Sequence, residues 1–363
     1  MRVAIPLEQC WAEVPGGTAR TMIDLAGALD ARADVDVVGV AARHDGPPPP
    51  AWRPPVPVHH LPLPGHLLRE SWHALRRPRI ERATGPVDVC HAVGGAIPAA
   101  AAPLVVTVHD LAFVHFPELF SRQGRRFFHR ALTLTRAHAV QVQVPSQATL
   151  EDCVAAGIER DRLRLVPWGC TVTDPSREDV AEATARFGLP ERYVVCVGTL
   201  EPRKNLPRLL RAWDRLARDD VDLVLIGPSG WGDARDLSTS GRNVTMTGFV
   251  DARTRDALYR GAAASCYPSL FEGFGLPVLE SMALGCPVVT SSGTATAELA
   301  AGGAALTVEP TDVDAIAGAL AEVLDDADLR ARLVAAGSAR AEEHTWARAA
   351  ELVATGYREV LDQ

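Results

Sequence analysis

Two carboxylates, Glu272 and Glu280, bracket a glycine-rich turn in the string Tyr267-Pro-Ser-Leu-Phe-Glu-Gly-Phe-Gly-Leu-Pro-Val-Leu-Glu280. Gly273 and Gly275 allow a tight turn. Pro277 suits the first position of a new helix, where its missing N–H would have had no partner anyway. The amides of Phe274, Gly275 and Leu276 then point out of a helix start, which is an anion site. A carboxylate beside a bound phosphate is repelled unless it faces neutral hydroxyls. A ribose diol and a sugar ring carry such hydroxyls, so anion site and paired carboxylates together describe a nucleotide sugar.

A second segment, Val197-Gly-Thr-Leu-Glu-Pro-Arg-Lys-Asn205, follows an apolar run. Gly198 permits close backbone approach, and Arg203 and Lys204 supply cations for a diphosphate. Lys204 is the single lysine among 37 basic residues. Its place in this loop, and nowhere else, marks the loop as a phosphate contact. Val14-Pro-Gly-Gly-Thr-Ala-Arg20 puts Gly16 and Gly17 between a first strand and a first helix, where backbone can approach a ligand. His109 and Asp110 follow another apolar run and stand at a strand's carboxyl end.

Short valine-rich runs alternate with helical stretches along the whole chain, the pattern of parallel sheets covered by helices. The predicted strands are 3–6, 35–40, 87–92, 104–108, 139–144 and 163–166 in the first half. In the second half they are 193–197, 223–226, 244–246, 264–267, 287–290 and 305–308. The fold class is therefore α/β, with two doubly wound, Rossmann-like domains facing a cleft, and ligands sit at the carboxyl ends of such strands. We place the domains at 1–168 (acceptor-binding) and 169–345 (donor-binding), with a helix over 346–363 packing back on the first. The proline-rich stretch 46–64 reads as an extended surface loop.

These residues resemble glycosyltransferase family 4, whose fold is GT-B. The family's E-x7-E motif matches Glu272 and Glu280, Gly273 to Pro277 its donor loop, and Gly198 to Asn205 its phosphate loop in the form of GDP-mannose-dependent members. Gly16-Gly17 and His109 match motifs of the first domain. Gly248, Phe249 and Val250 are similar to the loop that holds the base. Thr199 stands where many members carry arginine, and Arg203 is the replacement cation. The resemblance implies that Glu280 accepts the ribose hydroxyls, Glu272 touches the transferred sugar, and Arg203 and Lys204 neutralise the diphosphate. It implies that the amides at Phe274, Gly275 and Leu276 bind sugar or phosphate, that His109 lies near the sugar, and that Gly16 and Gly17 close the diphosphate side.

It further implies a retaining transfer of a hexose to a hydroxyl of a glycan, lipid-linked or small-molecule acceptor. GDP-mannose is the favoured donor, with the PRKN-type loop and Gly230-Trp231 tilting toward it, and a UDP-sugar is next. No cofactor and no metal are expected, because two cations and a helix start can neutralise the diphosphate. The strings Asp34–Asp36, Asp312–Asp314 and Asp326–Asp328 read as surface charge. A non-catalytic sugar-nucleotide binder and a GT-B sugar phosphorylase remain alternatives; the latter relies on lysine-bound pyridoxal phosphate, which a colourless protein would dismiss. A nicotinamide dehydrogenase is disfavoured, because no G-x-G-x-x-G follows a strand.

The 363 residues carry a net charge of −8, which argues against nucleic acid as a partner. The balance is +2 over residues 1–170 and −10 over the rest. Seven scattered cysteines without a C-x-x-C fit a reducing compartment. The first ten residues lack a signal pattern, and residues 92–108 are too broken by proline for a membrane span. We read a cytoplasmic protein. Residues 121–138 hold five arginines and no acid. Arg122, Arg125, Arg126 and Arg130 could therefore meet an acidic membrane at the inner face of the plasma membrane, or a phosphorylated acceptor.

Overall fold

The computed structural model describes residues 1–13, 15–228 and 243–362; Gly230-Trp231 lies outside them. The chain forms two compact units, one of residues 1–169 with 345–363 and one of residues 170–344.

Unit 1 is a seven-stranded sheet of β1 (Arg2–Pro6), β2 (Asp36–Ala41), β3 (Val58–His60), β4 (Val89–Ala92), β5 (Leu104–Thr107), β6 (Ala139–Val144) and β7 (Leu163–Leu165). The order is β3-β2-β1-β4-β5-β6-β7 and every pairing is parallel. Unit 2 is a six-stranded parallel sheet of β8 (Tyr193–Val197), β9 (Asp222–Ile226), β10 (Val244–Gly248), β11 (Ala264–Tyr267), β12 (Val288–Ser291) and β13 (Leu306–Val308), in the order β10-β9-β8-β11-β12-β13. In both units the order reverses beside the first strand, the doubly wound topology. The central strands are continuous apolar runs because helices cover both faces; every residue of β4, β5, β8 and β11 is buried.

The stretch 46–64 is not simply a loop, since Val58–His60 pairs with β2 as an edge strand. Prolines can flank such a strand because an edge leaves one side of the ladder unpaired. The Asp-x-Asp strings have structural partners. Asp312 and Asp326 cap the helices Val313–Asp325 and Ala327–Glu342, and Asp34 pairs with Arg32 and Arg358. All seven cysteines are free. No helix among the described residues is long and apolar enough to cross a membrane.

The last helix, Trp346–Leu361, is capped by the Thr345 side chain and packs against unit 1. It covers a polar strip of the sheet. His91 on β4 meets the Tyr357 hydroxyl through Nδ1 (2.6 Å) and the Thr107 hydroxyl through Nε2 (2.8 Å). Gln141 Nε2 donates to the Gly356 carbonyl at 3.2 Å. A Cβ at Gly356 would lie 2.3 Å from Gln141 Oε1, so any other residue there would displace the Gln141 side chain from this position. Burial pushes the His91 pKa down to about 3, so the ring is neutral and both nitrogens depend on these hydroxyls. Tyr357→Phe leaves Nδ1 buried without a partner and should cost unit 1 about 1–3 kcal/mol. Hydrogen exchange of β4 and β5 amides in urea checks this; β8 amides should be unaffected.

Candidate functional site

The loop after β8 begins with Gly198 at φ +153, and Gly227, directly after β9, has φ +148. A Cβ on Gly227 would lie 2.0 Å from the Gly198 carbonyl oxygen, so the two strand ends meet backbone to backbone. The Gly198 amide donates to Ile226 O at 2.9 Å. From this anchor the chain makes the short turn Pro202–Lys204 and then the helix Leu206–Leu216. Asn205, at φ +60, donates through Nδ2 to the carbonyls of Pro268 (2.9 Å) and Pro310 (2.6 Å). The Leu270 amide donates to Arg203 O at 2.9 Å. The loop 198–205 is thereby stitched to the turn after β11.

That stitching creates a buried charge cluster. Glu272 Oε1 accepts from Lys204 Nζ at 2.8 Å and from the Tyr267 hydroxyl at 3.0 Å. Glu272 Oε2 pairs with Arg203 Nη1 at 2.9 Å. Arg203 also reaches Glu201 Oε1 (2.7 Å) and the Phe271 carbonyl (2.9 Å). Lys204 Nζ donates to the Tyr267 hydroxyl as well and lies 4.8 Å from that ring's centre. Burial alone would raise the Glu272 pKa, but Arg203 and Lys204 outweigh it and hold the carboxyl at about 2. Burial and the Glu272 charge push the Tyr267 pKa up, so the phenol keeps its proton.

The turn leads into the helix Leu276–Ala283. Gly275 sits at φ +107, and a Cβ there would lie 2.6 Å from Thr296 Cγ2; conformation and neighbour both require glycine. The amides of Val278 and Leu279 close onto the Gly275 carbonyl. The N–H groups of Gly275 and Leu276 have no partner among the described residues and stand open at the positive end of this helix. The Phe274 side chain is buried, its ring 5.9 Å from that of His344.

Glu280, one turn into the helix, pairs with Arg255 Nη1 at 3.0 Å. Arg255 also binds Asp256 at 2.8 Å, and Asp256 in turn accepts from the Thr173 amide at 2.7 Å. Gly248 has φ +68 and open space where a Cβ would stand, Phe249 is 65% exposed and Val250 is half-buried. The sequence reading missed Glu201, Tyr267 and Arg255. The first two lie inside the quoted strings, but their parts depend on segments far away in the chain. Arg255, in the helix Ala252–Gly261, carries no motif at all.

Gly16, Gly17 and His109 belong to unit 1. Gly16 opens the helix Gly16–Asp30 at φ +66, and neither glycine has an atom within 4 Å of a built Cβ. His109 follows β5 with its ring edge-on to Trp168 at 4.9 Å. Burial lowers its pKa, so the ring is neutral and Nε2–H donates to the Val93 carbonyl. Nδ1 is then the ring's basic position.

Residues 15–174 match the family described as Glycosyltransferase Family 4, and residues 180–340 match Glycosyl transferases group 1. The chain is 30% identical over 254 residues to the O-antigen chain mannosyltransferase B of Escherichia coli, covering 67% of this chain and 66% of that protein. It is 32% identical over 286 residues to the D-inositol 3-phosphate glycosyltransferase of Acidothermus cellulolyticus, covering 71% and 62%. The chain thus spans somewhat less than two thirds of the length of these relatives. Among solved structures, Anabaena HepE in complex with UDP and glucose superposes with a TM-score of 0.77 at 20% identity, covering 99% of this chain and 100% of that one. Sucrose-phosphate synthase from Thermosynechococcus elongatus gives 0.78 at 23%, covering 100% and 99%. These likenesses show the fold, GT-B.

The charge cluster makes a pH prediction. Glu272 titrates near 2 when folded and near 4.5 as a free side chain. Between those values the unfolded chain binds more protons, so stability from this group is complete above pH 4.5 and falls as pH drops toward 2. Glu272→Gln should therefore lower the unfolding free energy of unit 2 at pH 7, read from urea titration, by roughly 3 kcal/mol. The gap from the unsubstituted chain should narrow below pH 4.5. A gap of constant size would show that the carboxylate charge is not what stabilises the loop.

Proposed function

The chain belongs to glycosyltransferase family 4, and we propose that it moves a hexose, with retention of configuration, from a nucleotide-diphosphate sugar to an acceptor hydroxyl. GDP-mannose is the first donor in this reading and a UDP-sugar the second; the Escherichia coli relative named a mannosyltransferase supports that order. The acceptor is a glycan, a lipid-linked sugar or a small molecule.

One observation carries the proposal: Arg203 and Lys204 are fixed by Glu272 beside a helix start with two unused N–H groups. A diphosphate is the anion that suits two cations and a pair of amides. In this reading Arg203 and Lys204 hold its oxygens, and the Gly275 and Leu276 amides take sugar or phosphate oxygens. Phe274 contributes its backbone and not its buried ring. Glu280 receives the ribose hydroxyls, with Arg255 fixing its orientation. Glu272 touches the transferred sugar while keeping both cations in place. Gly16, Gly17, His109 and the base loop Gly248, Phe249 and Val250 keep the roles the resemblance implies.

Chemically, the bond from the sugar's anomeric carbon to the phosphate oxygen breaks. The bond to the acceptor oxygen forms on the same face, through an oxocarbenium-like state. The acceptor's proton goes to the departing phosphate oxygen, so no separate base is needed. The negative charge growing on the leaving diphosphate meets cations already in position, which is where the rate gain arises. No cofactor and no metal take part in this scheme.

Lys204→Ala should lower turnover by about 30- to 1,000-fold, the equivalent of losing one preorganised charge-stabilising group at roughly 2–4 kcal/mol. Release of nucleoside diphosphate from GDP-mannose and from UDP-glucose, with a panel of acceptors, is the assay. Unchanged turnover in that variant would remove the proposed role of the loop. Activity should persist in excess chelator. A thermal-shift screen with GDP-, UDP-, ADP- and dTDP-sugars identifies the base, since a ligand at 100 times its Kd stabilises by about 2.7 kcal/mol.

A further inference from the structure

A second concentration of positive charge lies within unit 1, far along the chain from the loops above. The helix Arg122–His138 carries Arg122, Arg126 and Arg130 at spacings of four, so they form one stripe. Like charges at that spacing repel one another, and an acid would ordinarily be interleaved. None is present on this helix. The stripe lines a cavity of about 520 Å³ whose other wall comes from the helix Gly65–Leu75, through Glu70 and His73. That volume suits a small ligand.

The arginines on this wall are largely uncommitted. Arg122 and Arg126 make no hydrogen bond or ion pair among the described residues. Arg130 has only Glu70, at 3.9 Å, and both side chains are largely in solvent. Neighbouring arginines are engaged elsewhere. Arg76 donates to the carbonyls of Trp72, Ile97 and Pro98, and Arg136 packs over Gly157. The basic stretch is thus a defined pocket with two unpaired guanidinium groups, Arg122 and Arg126, and a third, Arg130, held only by the long contact to Glu70; Arg125 is not among the residues lining it.

His73 is a neutral member of the pocket wall. It is 4% exposed and its ring stacks on Phe127 at 4.7 Å. Its Nε2 accepts from the Ile97 amide at 3.0 Å. Burial, reinforced by Arg130, Arg76 and Arg69, pushes its pKa down to about 4. The single ring proton is therefore on Nδ1, which has no other partner among the described residues. The Ser121 cap places the positive end of the helix at the Arg122 side of the cavity.

We propose that this cavity binds a phosphate ester, gripped by the forks of Arg122, Arg126 and Arg130, and that the acceptor is a phosphorylated hydroxyl compound. Guanidinium groups match phosphate oxygens in pairs, which a loose surface charge does not. The second half of the statement rests on the transferase reading above; the first half does not.

Hydrogen exchange on the full chain tests it. The probes are sn-glycerol 3-phosphate with glycerol as control, and phosphatidylglycerol vesicles with phosphatidylcholine vesicles as control. A phosphate ester should protect peptides covering 65–75 and 122–130. Arg126→Gln/Arg130→Gln should weaken that binding at least about tenfold, from the loss of two charge-assisted contacts, and Arg122→Gln alone should weaken it less. Protection by glycerol phosphate identifies a soluble ester, and protection by phosphatidylglycerol alone identifies a lipid headgroup; either supports the pocket. No protection by any probe, equal protection in the variants, or equal protection by phosphatidylcholine overturns it. GDP and UDP are added in parallel. If they fail to protect residues 198–205 while glycerol phosphate still protects 122–130, the transferase reading falls and the anion pocket stands.

Discussion

Unit 2 is organised around four closely packed charges, the buried Glu201, Lys204 and Glu272 and the partly buried Arg203. Taking an ion out of water costs several kcal/mol, and only close opposite charges with good hydrogen bonds repay it. Glu272 is the member that touches both cations, so its position fixes theirs. The consequence is order before any ligand arrives. Two long, flexible side chains are locked at the mouth of a helix start, and the rotamer entropy of locking them is met in folding, not in binding. The surrounding details follow from the same need. Tyr267 gives the carboxylate a neutral donor, and Asn205 ties the loop to the carbonyls of Pro268 and Pro310. Any sequence that kept the cations and lost Glu272 would bury two like charges side by side.

The glycines divide into two kinds. Gly227 and Gly275 are pressed against their own protein, where a Cβ would meet the Gly198 carbonyl or Thr296, while Gly198 is required by its φ of +153 and a Cβ there would only touch the Lys204 stem. They hold the loop geometry. Gly16, Gly17 and Gly248 have nothing within 4 Å of a built Cβ. Gly16 and Gly248 also need positive φ, which glycine accepts without strain, and the space beside them is open to a ligand's approach. The same residue type thus serves closure in one place and access in another, and only the atoms packed around each glycine separate the two.

Parallel strands with two buried faces are the easiest elements to read, because continuous apolar runs such as Tyr193–Val197 and 104–106 have no competing pattern. Val58–His60 escaped because three residues between prolines carry too little periodicity to announce an edge strand. The helix start at Leu276 was readable from Gly275 and Pro277, whose backbone demands are local. The charge cluster was not, because Glu272 and Lys204 are 68 residues apart and nothing local says that they touch. The pairing of Glu280 with Arg255 is of the same kind. The aspartates at 312 and 326 show the converse limit. They sit in repeated acidic strings, yet each works alone as a helix cap, which the first-turn N–H groups of any helix require.

The lone lysine follows from these constraints. Elsewhere the chain uses arginine for every basic position, so a lysine here reflects something arginine cannot do. The Lys204 stem runs beside Gly198, whose built Cβ would lie 3.4 Å from Cε. Its end is enclosed by the Tyr267 ring and the Glu272 carboxylate. A slim stem and a compact ammonium fit that channel, whereas a planar guanidinium is wider and carries five donors in a rigid fork. The ammonium has three. Tyr267 and Glu272 take two of them, and among the described residues the third has no acceptor. A group that is held firmly by two bonds and still has one donor to offer is what a phosphate oxygen needs. Arginine in the same channel would leave buried donors unpaired, at a cost of about 1–3 kcal/mol each.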